Sequence, residues 1–166
     1  MQFDLTQRIE AATELVAAAF VDPDYYAELA TLPKLGAPEV LTIDGTGDRA
    51  RLEIRYRFAG DLSPAARAVL DPGKLTWVEV SDHDLQAFRF SFVLKPDHYA
   101  DRFSCRGRSR LDAPGDDTGA TLRRTQGELK VRAPLVGGQV ERAIVSGLQE
   151  HLEAEAKLLS SWLASR

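Results

Sequence analysis

The sequence predicts an α+β protein in which a curved antiparallel sheet of about seven strands wraps around one long C-terminal helix. Three observations predict it. Through the middle of the chain apolar residues alternate with polar ones in short runs separated by Gly-, Asp- and Pro-bearing turns, the pattern of successive hairpins. Near the N-terminus the apolar spacing switches to three and four over two short stretches, and from Pro134 it keeps helical spacing to the end. Neighbouring antiparallel strands with helices at the ends argue against a parallel sheet, whose strands would alternate with helices.

The elements follow in order. "QFDLTQRIE" reads as a first strand, with Phe3, Leu5 and Ile9 on one face and a break at Gln7. "ATELVAAAFVDPDYYAELATLPK" reads as two short helices. Leu15, Val16, Ala19 and Phe20 form the apolar face of the first. Asp22 before Pro23 suits an N-cap followed by Pro at the first helical position, and the second helix carries Tyr25, Tyr26 and Leu29 until Pro33 ends it. "PEVLTID" then leads through a "GTGD" turn into "RARLEIRYRF". There Ala50, Leu52, Ile54, Tyr56 and Phe58 face one way, and Arg49, Arg51, Glu53, Arg55 and Arg57 the other. "DLSPAARAVLDPG" interrupts with a short helical turn capped by Ser63 before Pro64. The remaining strands are "KLTWVEVS", a "DHD" turn, "LQAFRFSFVLK", a loop through "PDHYAD", "RFSCRGRSRLDAP", a "GDDTG" turn and "ATLRRTQGELKVRAP". Without repeat, low-complexity tract or linker, residues 1–166 read as one domain.

From Pro134 to Arg166 the last helix would run about 45–50 Å at 1.5 Å per residue. Val136, Val140, Ile144, Leu148, Leu152, Ala156, Leu159 and Leu163 make one continuous stripe, with Val145, Leu158 and Trp162 at its margins. A helix this long needs a partner surface of matching length, and the inner face of the sheet, with Phe88, Phe90 and Phe92, is the available one. Gly137 and Gly138 at its start carry a helix-propensity cost of roughly 0.5–1 kcal/mol each. A close backbone approach where the chain leaves the last strand accounts for them first, and space left for a ligand second.

Composition sets bounds. The net charge of −4 gives no whole-molecule attraction to nucleic acid or to an anionic membrane. No apolar run approaches the roughly 20 residues that span a bilayer, and the N-terminus lacks the basic region of a signal peptide. A single cysteine, Cys105, excludes an internal disulfide and a cysteine-based metal cluster, which makes the cytoplasm the expected compartment. Sixteen arginines against five lysines, and no asparagine, suggest a GC-rich bacterial genome.

Strand, two helices, six strands and a long helix is the order of the helix-grip fold. The chain resembles the START-like superfamily, which includes the birch-pollen allergen family, lipid-transfer START domains and polyketide cyclases. It looks closest to an uncharacterised group of START-like proteins from high-GC bacteria, through "FDLT" at Phe3 to Thr6, "DPDYY" opening the second helix, and "GELKVRAPLVGGQVERAI" at Gly127 to Ile144. The resemblance implies a cavity between sheet and long helix that takes an apolar or amphipathic small molecule. It transfers no catalytic residue.

Motif searches find no other chemistry. His83, His98 and His151 lack metal-ligand spacing, and no nucleophile-elbow, P-loop or dinucleotide fingerprint is present. No metal and no cofactor is expected, and Cys105 reads as a small buried hydrophobe. His151 and Glu155 stand one helical turn apart, within or beside the apolar stripe. They read as an i,i+4 pair at its border, the alternative being that Glu155 is a polar anchor in the cavity. Glu141 complements the helix dipole. Arg102, Arg106, Arg108 and Arg110, with Arg89 and Arg123 on flanking strands, are expected on the outer face beside acidic partners. The expected ligand-binding residues are Leu52, Ile54, Tyr56, Phe88, Phe90, Phe92, Phe103, Leu148, Leu152 and Glu155. The expected activity is binding of a hydrophobic small molecule without catalysis. The alternatives are an enzyme like the polyketide cyclases or dehydratases, and a protein-interaction module using the arginine-rich face.

Overall fold

The computed structural model describes residues 1–68, 70–115 and 119–166. Seven strands, β1 (Gln2–Ile9), β2 (Glu39–Thr46), β3 (Arg49–Arg57), β4 (Thr76–Asp84), β5 (Arg89–Pro96), β6 (Phe103–Asp112) and β7 (Thr121–Val131), form one antiparallel sheet in the order β1-β7-β6-β5-β4-β3-β2. The helices are α1 (Thr13–Ala19), α2 (Pro23–Glu28), α3 (Pro64–Arg67) and α4 (Gly137–Ala164). This is the helix-grip arrangement. The centre of the expected "GDDTG" turn, 116–118, lies outside the described residues.

Period-two alternation decides which side chains meet α4, because a one-residue slip would turn every side chain over. Directly paired residues share a face, so the register yields inner rows across the sheet. One row runs Gln7–Arg123–Leu111, another Phe92–Ser81–Leu52, and a third Leu129–Cys105–Leu94–Glu79–Ile54. Arg106, Arg108 and Arg110 point outward and are exposed, as the alternation requires.

Several local expectations are corrected. Asp82–His83–Asp84 is strand, not turn: His83 pairs with Ala50 and Phe90, and the turn is Leu85–Phe88. Asp84 closes that turn by accepting from the Ala87 backbone N–H at 3.0 Å, with Arg49 and Arg89 at 3.1 and 3.2 Å. Phe88 therefore sits in the turn at φ 51°, packed against the core margin rather than standing on a strand. The β2–β3 turn moves likewise to Gly47, at φ 60°, because Gly45 and Thr46 still pair in the ladder. Gln7 does not break the first strand; it is buried on the same face as Phe3, Leu5 and Ile9. Leu15 is exposed, and α1 turns Val16, Ala17 and Ala19 inward, with Phe20 following.

Asp22 caps α2 as its sequence suggests, accepting from the Asp24 backbone N–H at 2.9 Å. Helix α4 starts at Gly137, not Pro134, and its 28 residues span about 42 Å. A Cβ on Gly137 would lie 2.6 Å from the Val131 carbonyl oxygen, so glycine there answers a close backbone approach, while Gly138 is exposed. Glu141 does more than face the helix dipole. It accepts from the Val131 backbone N–H at 2.8 Å and pairs with the N-terminal ammonium at 3.2 Å, tying α4 to the ends of β7 and β1.

The buried core is split. A larger cluster joins Ile9, Val16, Phe20, Tyr25, Leu52, Ile54 and Leu159 with their neighbours. A smaller one gathers Phe3, Leu5, Cys105, Leu129 and Val145. Helix α4 makes its main sheet contacts with β1 and β7. The inner faces of β3, β4 and β5 are therefore where the grip is loosest.

Candidate functional site

Side chains between the two clusters line this loose region. Leu148 and Leu152 stand in the middle of the inward arc of α4, yet both keep accessible surface, as do Phe90, Phe92 and Leu94 on the sheet opposite. Tyr56 and Trp77, paired across β3 and β4, stack at 5.9 Å between ring centroids. Tyr56 and Glu79 show most clearly what surrounds them. Both retain surface that a water molecule could touch. Their surroundings nevertheless desolvate them: burial, with Glu79 adding, raises the Tyr56 hydroxyl well above its usual value. Tyr56 and Glu79 are thus partly accessible and yet desolvated.

A polar cluster closes one side of this region. The Arg123 guanidinium donates to Glu155 Oε2 at 2.6 Å, to the Leu152 carbonyl at 3.0 Å and to Gln7 Oε1 at 3.2 Å. Tyr25 donates its hydroxyl to Glu155 Oε1 at 2.8 Å, and the Phe20 ring lies 5.7 Å from the guanidinium carbon. Burial opposes the Glu155 charge, but Arg123, then His151 and the two hydrogen bonds, hold its carboxyl below the usual range. Glu155 is thus no surface pair with His151. Arg123 is likewise not an outward arginine: it is 3 % exposed, and Arg124 takes the outer position beside Arg110. Gln7 and Arg123, one behind the other on the inner face, are each other's reason for being there.

His151 and Glu79 each carry a group without a hydrogen-bond partner among the described residues. His151 Nδ1 is buried and has no hydrogen bond among the described residues. Burial pushes His151 below its usual value, with Glu155 opposing and Arg123 and Lys34 assisting. Glu79 is the second. It projects from β4 into the inner row between Ile54 and Leu94, and has no hydrogen-bond or ion-pair partner among the described residues. Its oxygens are not sealed in, since His151 Nδ1 alone is both buried and unpaired there. Burial, reinforced by Glu155 and opposed by Arg123, lifts the Glu79 carboxyl to about 7. His83, hydrogen-bonded to Ser81 at 3.0 Å and stacked on Phe90 at 4.6 Å, is pushed down to about 4 by burial. Burial raises Cys105 to about 12, which suits a packed thiol rather than a nucleophile.

Leu52 and Ile54, two of the expected lining residues, are sealed in the larger core cluster at 0 % and 1 % exposure. Tyr56, Phe90, Phe92, Phe103, Leu148 and Leu152 keep accessible surface, and Glu155 lies behind them in its ion pair. Sequence reasoning missed Glu79. In "TWVEVS" the two valines suggest the inward face, whereas pairing places Trp77, Glu79 and Ser81 inside.

A groove of about 890 Å³ on the opposite, outer face is lined by Arg49, Arg51, Arg89, Arg108, Arg110 and Arg124. Most of these arginines already have acidic partners: Arg51 with Asp82 at 2.7 Å, and Arg110 and Arg124 with Asp112 at 2.8 and 3.4 Å. The groove is a neutralised ionic surface rather than a ready anion site. Among the described residues, no cluster of His, Cys, Asp or Glu could hold a metal ion, and no helix is long and apolar enough to cross a membrane.

The family described as "Protein of unknown function (DUF2505)" matches residues 4–163, and the chain belongs to it. No curated protein matches the sequence. Among solved structures, a protein from Thermus thermophilus is 18% identical with a TM-score of 0.67, over 99% of this chain and 98% of its own. The Zhui aromatase/cyclase from Streptomyces sp. R1128 is 15% identical with a TM-score of 0.68, over 100% of this chain and 94% of its own. Norcoclaurine synthase from Thalictrum flavum is 13% identical with a TM-score of 0.67, over 100% of this chain and 87% of its own. These likenesses establish the START-like, helix-grip fold.

Proposed function

We propose that this protein binds a hydrophobic or amphipathic small molecule, lipid-like or polyketide-like, in the space between the sheet and α4. One observation carries the reading: side chains at the centre of both inward faces, Leu148 and Leu152 on the helix and Tyr56, Phe90 and Phe92 on the sheet, stay partly accessible. A packed interior would leave no such surface. Apolar walls with a few polar groups are the usual make-up of a small-molecule site. In this reading the protein is cytoplasmic and needs no cofactor. Native mass spectrometry of protein isolated from its own host tests it. A co-purified small molecule lost on denaturation is the expected result; uniformly empty protein that also fails to take up apolar compounds would overturn it.

A second reading, an enzyme in the manner of polyketide cyclases or dehydratases, is favoured by Glu79. A carboxyl held at about 7 is matched to moving protons near neutral pH. Two neighbours with enzyme names, the aromatase/cyclase and the synthase, lend this reading support of fold alone.

A further inference from the structure

We infer that the interior selects ligands carrying a positively charged amine on an aromatic or apolar body, and that Glu79 is the residue that receives the amine. The inference rests on the cavity reading above and adds the charge of the ligand.

The argument begins with which interior charges are already taken. Arg123 is the cation of the inner face, but it is 3 % exposed and its charge is already balanced by Glu155 at 2.6 Å, so it offers little to an anionic headgroup. Glu155 is equally occupied, with one oxygen on Arg123 and the other on Tyr25. The pair is internally neutral. Glu79 is what remains: a carboxyl without partner among the described residues, on the inner face, with its oxygens not sealed in. A buried carboxylate is costly unless paired, so a protonated amine supplies what the fold leaves out.

The neighbourhood suits the rest of such a ligand. Trp77 precedes Glu79 by two residues on the same face, stacked with Tyr56, and Phe92 and Leu94 follow on β5. Aromatic faces attract a cation as well as an apolar ring system. The Tyr56 hydroxyl has no hydrogen-bond partner among the described residues either, and can accept from the same ammonium group.

Other titratable groups stand on the inner face and on the helices packed against it. Tyr25 and Tyr26 on α2 and Tyr56 on β3 are raised well above their usual values. Cys105 on β6 is pushed up to about 12 and His83 on β4 down to about 4. His151 and Glu155 on α4 are both lowered. Glu79 itself titrates near neutrality, at about 7. Binding of an amine that remains protonated throughout should therefore tighten as the pH rises through about 7, as Glu79 loses its proton.

The test uses three matched probes, 2-(2-naphthyl)ethylamine, the corresponding alcohol and the corresponding carboxylate, titrated calorimetrically into the full chain and into Glu79→Gln. At pH 8 the amine should bind roughly tenfold or more tighter than the alcohol. The preference should shrink at pH 5.5 and vanish in Glu79→Gln, while the alcohol binds both proteins alike. Alcohol binding reads the cavity itself and the amine-to-alcohol ratio reads Glu79, so the two ideas fail separately. A carboxylate bound as tightly as the amine, or an amine preference that survives Glu79→Gln, overturns this inference and leaves the cavity standing. No binding of any probe overturns both.

Discussion

Arg123 on β7 and Glu155 on α4 meet at 2.6 Å inside the protein, 32 positions apart in sequence, with Tyr25 of α2 on the other carboxylate oxygen. One ion pair thus joins the sheet, the long helix and the short helical segment at the place where the grip closes. Removing one partner of a buried pair leaves the other charge unsatisfied, which costs about 3–5 kcal/mol. Arg123→Met should destabilise by that order in chemical denaturation at pH 7, and Arg123→Met with Glu155→Met should recover much of the loss. Equal stability of Arg123→Met and the parent would show that the pair is not closed in solution.

The two kinds of leucine on α4 should behave differently. Leu159 is 0 % exposed in the larger core cluster, so Leu159→Ala should cost about 2–5 kcal/mol. Leu148 keeps accessible surface and buries less when folded, so Leu148→Ala should cost clearly less in the same urea titration. Equal losses would mean that Leu148 is packed and the space beside it is closed.

Glycines of α4 separate in the same way. At Gly137 a methyl group would meet the Val131 carbonyl oxygen at 2.6 Å, so Gly137→Ala forces backbone to move and should destabilise by about 1–3 kcal/mol. At Gly147 a Cβ meets nothing within 4 Å, so Gly147→Ala should stabilise by roughly 0.5–1 kcal/mol through helix propensity. Melting temperatures of the two variants check the order, which a reversed ranking would contradict.

Glu79 should leave a mark on stability as well as on binding. Its folded value of about 7 lies above the ordinary 4.5, so the unfolded chain gives up this proton first as the pH rises. The free energy of folding from this group is therefore lost between about 4.5 and about 7 and stays lost above. Glu79→Gln removes the titration. Its stability relative to the parent should be greater at pH 8 than at pH 5, and the same difference at both values would contradict the desolvation of Glu79.

The architecture was legible because it depends on patterns of period two and period three to four, and those survive local errors. The Asp22–Pro23 cap and the outward Arg106, Arg108 and Arg110 were readable for the same reason. Turn positions were not, because Asp84 belongs to the strand and the turn at once, and polar residues at a strand end look like the turn itself. The polar interior was hidden for a different reason. Gln7 looks like a break in an apolar strand until its partner Arg123 is placed behind it, and that pairing spans 116 positions. Glu79 was masked by Val78 and Val80, whose apolar character suggests the inward face although Val80 is covered on the outer one, opposite Glu53 and Val93.

The central claim is that the space between sheet and α4 is open to a ligand, and an environment-sensitive apolar dye measures this most directly. The parent should bind one dye per chain, with displacement by a long-chain or aromatic competitor. Leu148→Trp, which adds bulk to the middle of that space, should keep the far-ultraviolet dichroism of the parent and weaken dye binding roughly tenfold or more. A parent that binds no dye, or a folded Leu148→Trp variant that binds it as tightly as the parent, would contradict the account.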